Sequence, residues 1–132
     1  KECNNEKIIR FQKIIHEAVE QSERLWSPEL MQAVTFSNWI NDLPSDSQIG
    51  IATTRIQNLQ DCAVWLKKTP HKVNQVWLAI GPEGGWNKDE EVLAFDSSLT
   101  GVSIGETILR TSTAAVSACQ LMTSWRRLKL SL

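Results

Sequence analysis

The sequence has no basic surplus and no apolar run long enough to cross a membrane. Its 14 Lys and Arg residues are balanced by 15 Asp and Glu, giving a formal net charge of −1. A domain that binds nucleic acid alone is usually basic, because phosphate contacts supply most of the affinity. Any RNA contact must therefore be local, or be helped by another domain or subunit.

Membrane and export signals are also missing. No apolar stretch approaches the roughly 20 residues of a membrane helix. The opening "KECNNEKIIRF" has an apolar run that is too short for a signal peptide and is interrupted by charge. We expect a cytoplasmic protein with no membrane partner.

Cysteine is scarce, with three widely spaced residues, Cys3, Cys62 and Cys119. The absence of a C-x-x-C motif or a Cys/His cluster argues against a zinc site and a redox dithiol. We expect no bound metal and plain reduced thiols, with Cys119 buried on a helix.

Hydrophobic residues make up 42% of the 132 residues and charged residues 22%, which is typical of one globular domain.

Asn58 is the expected cap of the second long helix, and Asn87 with Glu90 has capping-box spacing. The apolar run 75–81 is typical of a strand buried on both faces. This alternation of strands and helices predicts an α/β fold with a largely parallel sheet. The predicted helices cover 5–24, a short turn near 37–43, 58–68, a segment from about 88, and 112–128; the predicted strands cover 30–36, 48–54, 75–81 and 100–105.

Two glycine-bearing segments follow predicted strands, Gly81-Pro82-Glu83-Gly84-Gly85 and 104–114. Ligands of open α/β sheets bind outside the carboxyl ends of the strands, and glycine lets the backbone approach a ligand closely. A tight strand-to-helix turn is the alternative reading. The chain contains neither G-x-x-x-x-G-K-[ST] nor G-x-G-x-x-G, and Glu83 would repel phosphate. A ligand that faces Glu83 should therefore be neutral or cationic.

Three segments together resemble one known family: "HEAVEQSER" at 16–24, "IGPEGGW" at 80–86 and "SIGETILRTSTA" at 103–114. They are similar to motifs of the RsmE family, whose members methylate N3 of a uridine in 16S ribosomal RNA of the small subunit. This family belongs to the SPOUT, or α/β-knot, class. The resemblance runs from about residue 6 to 128.

The resemblance implies a deep trefoil knot near the C-terminus, a homodimer, and a cleft that holds S-adenosylmethionine as cofactor. It implies that residues of both glycine-bearing segments form the cofactor site: Ile80, Gly81, Gly84, Gly85, Ile104, Gly105, Ile108, Leu109 and Arg110.

Roles in catalysis follow from the chemistry that the resemblance implies. The proton on uridine N3 must leave before attack, and a nearby cation stabilises the resulting anion. Arg110 and Arg24 are the candidate cations, and Glu83 or Glu17 the candidate proton acceptors. The set Glu17, Gln21 and Arg24 has the spacing of one helix face and is the candidate RNA contact; a solvated stripe is the alternative.

Other residues have structural alternatives that the sequence leaves open. Arg110 also fits a surface arginine or a phosphate contact. Thr111 and Thr113 fit caps of the last helix. Trp86, in the glycine-rich loop, fits either a base-stacking residue or a core residue.

Two departures from the family pattern bear on function. Ser112 stands where the family's L-R-T-E-T-A motif has Glu. The PUA-like RNA-binding domain and the opening strand–helix–strand of the knot domain have no counterpart. We therefore expect a fragment, 1–132, of a longer protein, and a divergent, shortened family member is the alternative. Two alternatives to methylation of 16S ribosomal RNA stay open. One is a non-catalytic RNA-binding or dimerisation module with the same fold, and the other is a related knot methyltransferase acting on transfer RNA.

Overall fold

The computed structural model describes residues 5–57 and 59–131, which divide into two compact units, one up to Thr35 and one from Phe36. The first unit contains helix α1, Asn5–Gln21. Its apolar residues recur at helical spacing, as predicted, but the helix ends three residues earlier than the predicted 24. Glu23 then takes a left-handed conformation with φ 52°.

The predicted strand at 30–36 is wrong. Residues 30–35 form neither helix nor strand, and Phe36 begins a helix instead. Leu30, Met31 and Val34 gave the segment its apolar character, but all three are exposed. The sheet of the described residues lies wholly within the second unit.

The second unit is a four-stranded parallel sheet with helices on both faces, which confirms the predicted α/β class. The strands are ordered β2-β4-β1-β3, and all three pairings are parallel. The knot near the C-terminus stays a prediction. The elements are α2 (Phe36–Asn41), β1 (Ser47–Ala52), β2 (Gln60–Asp61), α3 (Cys62–Lys67), β3 (Gln75–Ile80), α4 (Lys88–Asp96), β4 (Thr100–Ser103) and α5 (Thr111–Leu130).

Each face of the sheet has its own apolar core. On one face Ile51 packs with residues of α2 and α4, and on the other Val102 packs with residues of α3 and α5. The two buried sets are Ile40, Ile51, Ala94 and Leu99, and Cys62, Trp65, Leu66 and Val102. This arrangement is a three-layer sandwich, whose strand ends are free to form a site.

Helix α3 begins later than predicted, at Cys62 instead of 58. The Asp61 carboxylate caps it by accepting hydrogen bonds from the backbone amides of Ala63 and Val64 at 2.9 and 3.1 Å. Asn58, the predicted cap, lies outside the described residues. The other predicted cap is confirmed, because Asn87 and Glu90 form a reciprocal capping box at the start of α4.

Strand β3 is not buried on both faces as its apolar sequence predicted. It lies at the edge of the described sheet, pairs only with β1, and is exposed at Gln75 and half-buried from Val76 to Ile80. The two central strands, β1 and β4, contain the fully buried residues Ile51 and Val102.

The prediction that Cys119 is buried is wrong. The apolar face of α5 follows Ala118, Leu121, Met122 and Trp125, which recur at helical spacing, and Cys119 lies beside that face and is exposed. Of the two cysteines within 5–57 and 59–131, Cys62 is the buried one. Burial, together with the adjacent Asp61 carboxylate, raises the pKa of Cys62 from 9.0 to about 11.

Candidate active site

A cavity of about 120 Å³ lies at the carboxyl ends of β1, β3 and β4. Parallel strands end at one edge of the sheet, so the loops that follow them converge there. Three loop segments form its walls, and the lining residues are Ala52, Thr53, Thr54, Arg55, Ile80, Gly81, Pro82, Glu83, Gly85, Trp86, Val102, Ile104, Gly105, Thr107, Ile108, Leu109, Thr111 and Ala114.

The structure brings both predicted glycine-bearing segments to this one cavity. Glu83 lines it as well, but Gly84 and Arg110 do not. Contact of Gly84 and Arg110 with a ligand stays a prediction. The predicted cofactor residues that line the cavity are Ile80, Gly81, Gly85, Ile104, Gly105, Ile108 and Leu109.

The first wall, 80–86, is both a tight turn and a surface of the cavity. The Gly85 amide donates to the Pro82 carbonyl at 2.8 Å, and Gly85 has φ 75°, a conformation that favours glycine. A Cβ at Gly81 would lie 3.1 Å from the Trp86 ring. The turn interpretation and the binding interpretation of this loop are therefore compatible.

Trp86 is a structural residue of this wall. Its indole N–H donates to the Ala52 carbonyl at 2.8 Å, and its ring lies 4.8 Å from that of Phe36. The ring packs on the core formed around Ile51, which favours the core reading of Trp86 over base stacking.

The second wall, 104–111, is tied to the first through Thr111. The Thr111 hydroxyl donates to the Gly81 carbonyl at 3.1 Å, so the start of α5 is held against the end of β3. Thr111 does not cap α5. Arg110 is the N-cap residue, and no side chain makes a cap hydrogen bond. Ile108 is 83% exposed, which leaves an apolar side chain free at the rim of the cavity.

The loop after β1, 53–55, forms a third wall that the sequence reasoning missed. The Arg55 guanidinium donates to the Gly84 carbonyl at 2.9 Å, and a Cβ at Gly85 would lie 3.3 Å from it. Thr53 is buried, and its hydroxyl donates to Glu91 at 3.1 Å. The signal was present, because these residues directly follow a central parallel strand and the carboxyl-end rule applies equally to them.

The residues predicted to contact RNA belong to the first unit, and all three are exposed. Glu17 lies 3.9 Å from Lys13 on α1, and Gln21 is the last residue of that helix. Arg24 lies beyond the helix end, with its backbone amide bonded to the Val19 carbonyl at 3.2 Å. The prediction that Arg24 continues a helix face is therefore wrong, since α1 ends before it.

The described ranges contain no group of three or more His, Cys, Asp or Glu placed to hold a metal ion. In the same ranges no helix has the length and apolar character of a membrane span.

Comparison with known proteins shows clear similarity. The family described as RNA methyltransferase domain matches residues 1–123. Ribosomal RNA small subunit methyltransferase E of Synechocystis sp. is 35% identical over 108 residues, covering 82% of this chain and 35% of that protein. The protein of the same name from Rickettsia conorii is 30% identical over 112 residues, covering 84% of this chain and 44% of its own length.

Among solved structures, Ribosomal RNA small subunit methyltransferase E of Neisseria gonorrhoeae, bound to S-adenosylmethionine, superposes with a TM-score of 0.74 and 25% identity. The match covers 93% of this chain and 50% of that one. The chain thus spans half or less of the length of these relatives.

Proposed function

The chain belongs to the family of RNA methyltransferase domains, and from that membership we propose that it methylates N3 of a uridine in 16S ribosomal RNA, with S-adenosylmethionine as methyl donor. The observation that supports this most is the meeting of both glycine-bearing segments at one cavity, tied together by Thr111. The chain corresponds, in this proposal, to the methyltransferase domain of its longer relatives.

The residues of the cavity fit this cofactor. Ile80, Ile104 and Ile108 offer apolar surface, while Gly105 leaves its backbone accessible without a side chain in the way. A Cβ at Gly105 would meet no atom within 4 Å, so the space beside it is open. The enclosed volume of about 120 Å³ is below the roughly 300 Å³ of a small ligand pocket, so a nucleoside-sized ligand would extend onto the rim at Ile108.

Charge at the cavity also suits a cationic donor. Glu83 lines it, and the one cationic side chain among the lining residues, Arg55, is engaged by the Gly84 carbonyl. When bound, S-adenosylmethionine supplies an electrophilic methyl group on a positively charged sulfur. The Glu83 carboxylate attracts that charge, and the Arg55 guanidinium, which keeps its own positive charge, is held at the Gly84 carbonyl.

Positioning supplies much of the rate in this proposal. The reacting atoms must lie about 3 Å apart and in line, and the open backbone at Gly105 permits a close approach of the ligand. Arg55 has a positioning role, because its bond to Gly84 fixes the first wall. Ile104, which is half-buried, contributes apolar surface on the opposite wall.

Proton transfer and charge stabilisation are assigned to acidic and basic side chains of the chain. Glu83 accepts the N3 proton, with Glu17 as the alternative acceptor. Arg110 stabilises the uridine anion, with Arg24 as the alternative cation. Support for Arg110 comes from its place between Leu109 and Thr111, which both line the cavity. Glu17, Gln21 and Arg24 are the proposed RNA contacts of the first unit.

We further propose that the protein acts as a homodimer in the cytoplasm, where its substrate, the RNA of the small ribosomal subunit, is found. The knot and the contact of Gly84 and Arg110 with the cofactor belong to the same proposal.

Methyl transfer to small subunits that lack the modification tests the function. Mass spectrometry of digested 16S RNA should detect 3-methyluridine with the wild-type chain and none with Arg110→Ala, which leaves the fold unchanged because Arg110 is exposed and makes no side-chain cap bond. Lys88→Ala, another exposed cation, is the control and should keep wild-type activity.

Full activity of Arg110→Ala would remove the role assigned to that residue. A folded wild-type chain that neither binds cofactor nor forms 3-methyluridine would instead favour the non-catalytic module, a reading that Ser112 supports. Methylation of transfer RNA in place of 16S RNA would favour the third alternative.

A further inference from the structure

Charge is distributed unevenly along this nearly neutral chain. The segments 62–82 and 107–132 contain seven of the 14 Lys and Arg residues and none of the 15 Asp and Glu residues. Six of these seven cations lie in two short stretches, 67–72 and 126–129. A net charge of −1 therefore conceals a local basic region.

The fold brings these two stretches together. Helix α3 packs against α5, and the Lys129 ammonium at the end of α5 lies 3.5 Å from the carbonyls of Pro70 and Val73. The same ammonium lies 5.0 Å from the centre of the Trp125 ring. We call the resulting groove, between 71–76 and the last two turns of α5, the basic groove. It encloses about 620 Å³, and its polar lining includes His71, Asn74, Arg126 and Lys129.

The cations in and near this groove are not paired with carboxylates. Arg126 lines the groove, whereas Arg127, Lys67, Lys68 and Lys72 lie outside its lining. Within 5–57 and 59–131 both ion pairs lie on α1, so neither Arg126 nor Arg127 has a carboxylate within 4.0 Å. The same holds for Lys67, Lys68 and Lys72, and all five side chains are exposed. The carboxylate at the groove's edge, Asp46, accepts a hydrogen bond from the Asn74 amide at 2.9 Å. Free positive charge therefore faces solvent here.

We propose that the basic groove binds the phosphate backbone of the RNA substrate, away from the base that is methylated; the identity of the RNA rests on the proposed function. Helix α5 begins at the cavity and ends at the groove, and its 20 residues span about 30 Å. The α5 residues that line the groove, from Met122 to Leu130, lie 11 to 19 residues beyond Thr111, so one RNA molecule would contact the protein at two places roughly 15 to 30 Å apart.

Phosphate is the ligand that the groove chemistry favours. Arg126 and Arg127 present planar guanidinium donors, which match phosphate oxygens. The Trp125 ring already faces the Lys129 ammonium and is half-buried, which disfavours base stacking there. Binding should be independent of sequence and strongly dependent on salt, since it displaces counterions from the backbone.

Fluorescence anisotropy of a labelled RNA hairpin, titrated with the full chain at several salt concentrations, tests the proposal. The double variant Arg126→Gln/Arg127→Gln should lower the slope of log K against log salt by roughly 2, about 1 for each lost phosphate contact. At about 0.1 M salt its affinity should fall by between about tenfold and about a hundredfold. Lys88→Gln is the matched control, because Lys88 is exposed but is followed directly by three carboxylates, and it should bind as the wild type does.

Absence of salt-dependent RNA binding by the wild-type chain, or an unchanged slope in the double variant, would overturn the proposal. The proposal would also be overturned if the double variant sediments with a different molecular mass from the wild type but binds RNA with unchanged affinity. The groove would then join copies of this chain. Titration with S-adenosylhomocysteine keeps the two proposals separate. A wild-type chain that binds RNA through the groove but has no affinity for that compound would refute the proposed function alone.

Discussion

The hydrogen bond from Thr111 to the Gly81 carbonyl should decide how well the two walls of the cavity are held together. Thr111→Val preserves the shape of the side chain and removes its hydroxyl, so the 3.1 Å bond is lost and the half-buried carbonyl loses this donor. A neutral hydrogen bond of this kind contributes about 1 kcal/mol. That free energy corresponds to a factor of about 5 in an equilibrium constant.

The loss should be measurable in two quantities. Denaturant unfolding should show the free energy of unfolding of Thr111→Val lowered by about 1 kcal/mol, with an unchanged m value. Calorimetric titration should show the dissociation constant for S-adenosylhomocysteine raised by up to about fivefold, because the free protein no longer holds both walls in place.

Thr113→Val is the matched control for this experiment. It is the same substitution two residues further along the same helix, at an exposed position, and should change the unfolding free energy by less than about 0.5 kcal/mol. If Thr111→Val equals the wild type in both stability and affinity, the bond does not join the walls and the reasoning fails.

Two further predictions concern the core on the face of the sheet that α3 and α5 cover. Gly50→Ala should lower the free energy of unfolding by about 1 to 3 kcal/mol, because its Cβ would lie 3.0 Å from both the Trp65 ring and Leu78. Gly84→Ala is the control, because its Cβ meets nothing within 4 Å, and its unfolding free energy should stay within about 0.5 kcal/mol of the wild type. Equal stabilities of the two variants would contradict the packing account. Raising the pH from 9 to about 11 should lower stability through Cys62, since the unfolded thiol ionises from pH 9.0 while burial keeps the folded thiol protonated up to about 11. Cys62→Ala should lose that part of the pH dependence in denaturant titrations, and an identical pH profile in the variant would refute the pKa assignment.

Much of the fold and most of the cavity could be predicted from the sequence, because the decisive signals are local. The capping box at Asn87 and Glu90 marks the start of α4, and the glycine-rich segments mark two strand ends. The family resemblance seen in three motifs is confirmed by the family match. These features depend on residues close together in the chain.

The errors arose where long-range packing decides the outcome. The segment 30–36 has the composition of a strand, but the sheet of the described residues forms without it. Cys119 has helical spacing, yet the buried face of α5 follows Ala118, Leu121 and Trp125 and leaves it exposed. Arg55 has no motif of its own, and only its place after the central strand β1 brings it to the cavity.

Calorimetric titration with S-adenosylhomocysteine tests the central claim, that the cavity holds the methyl donor, most directly. Gly105→Val is the informative variant. Gly105 lines the cavity, lacks a positive φ and has open space around its Cβ, so the variant should fold normally while valine fills the ligand's space. The account predicts saturable binding by the wild type and by Thr113→Val, with affinity at least about tenfold weaker in Gly105→Val, a difference of about 1.4 kcal/mol. A folded wild-type chain that gives no heat of binding, or a Gly105→Val variant that binds equally well, would contradict it.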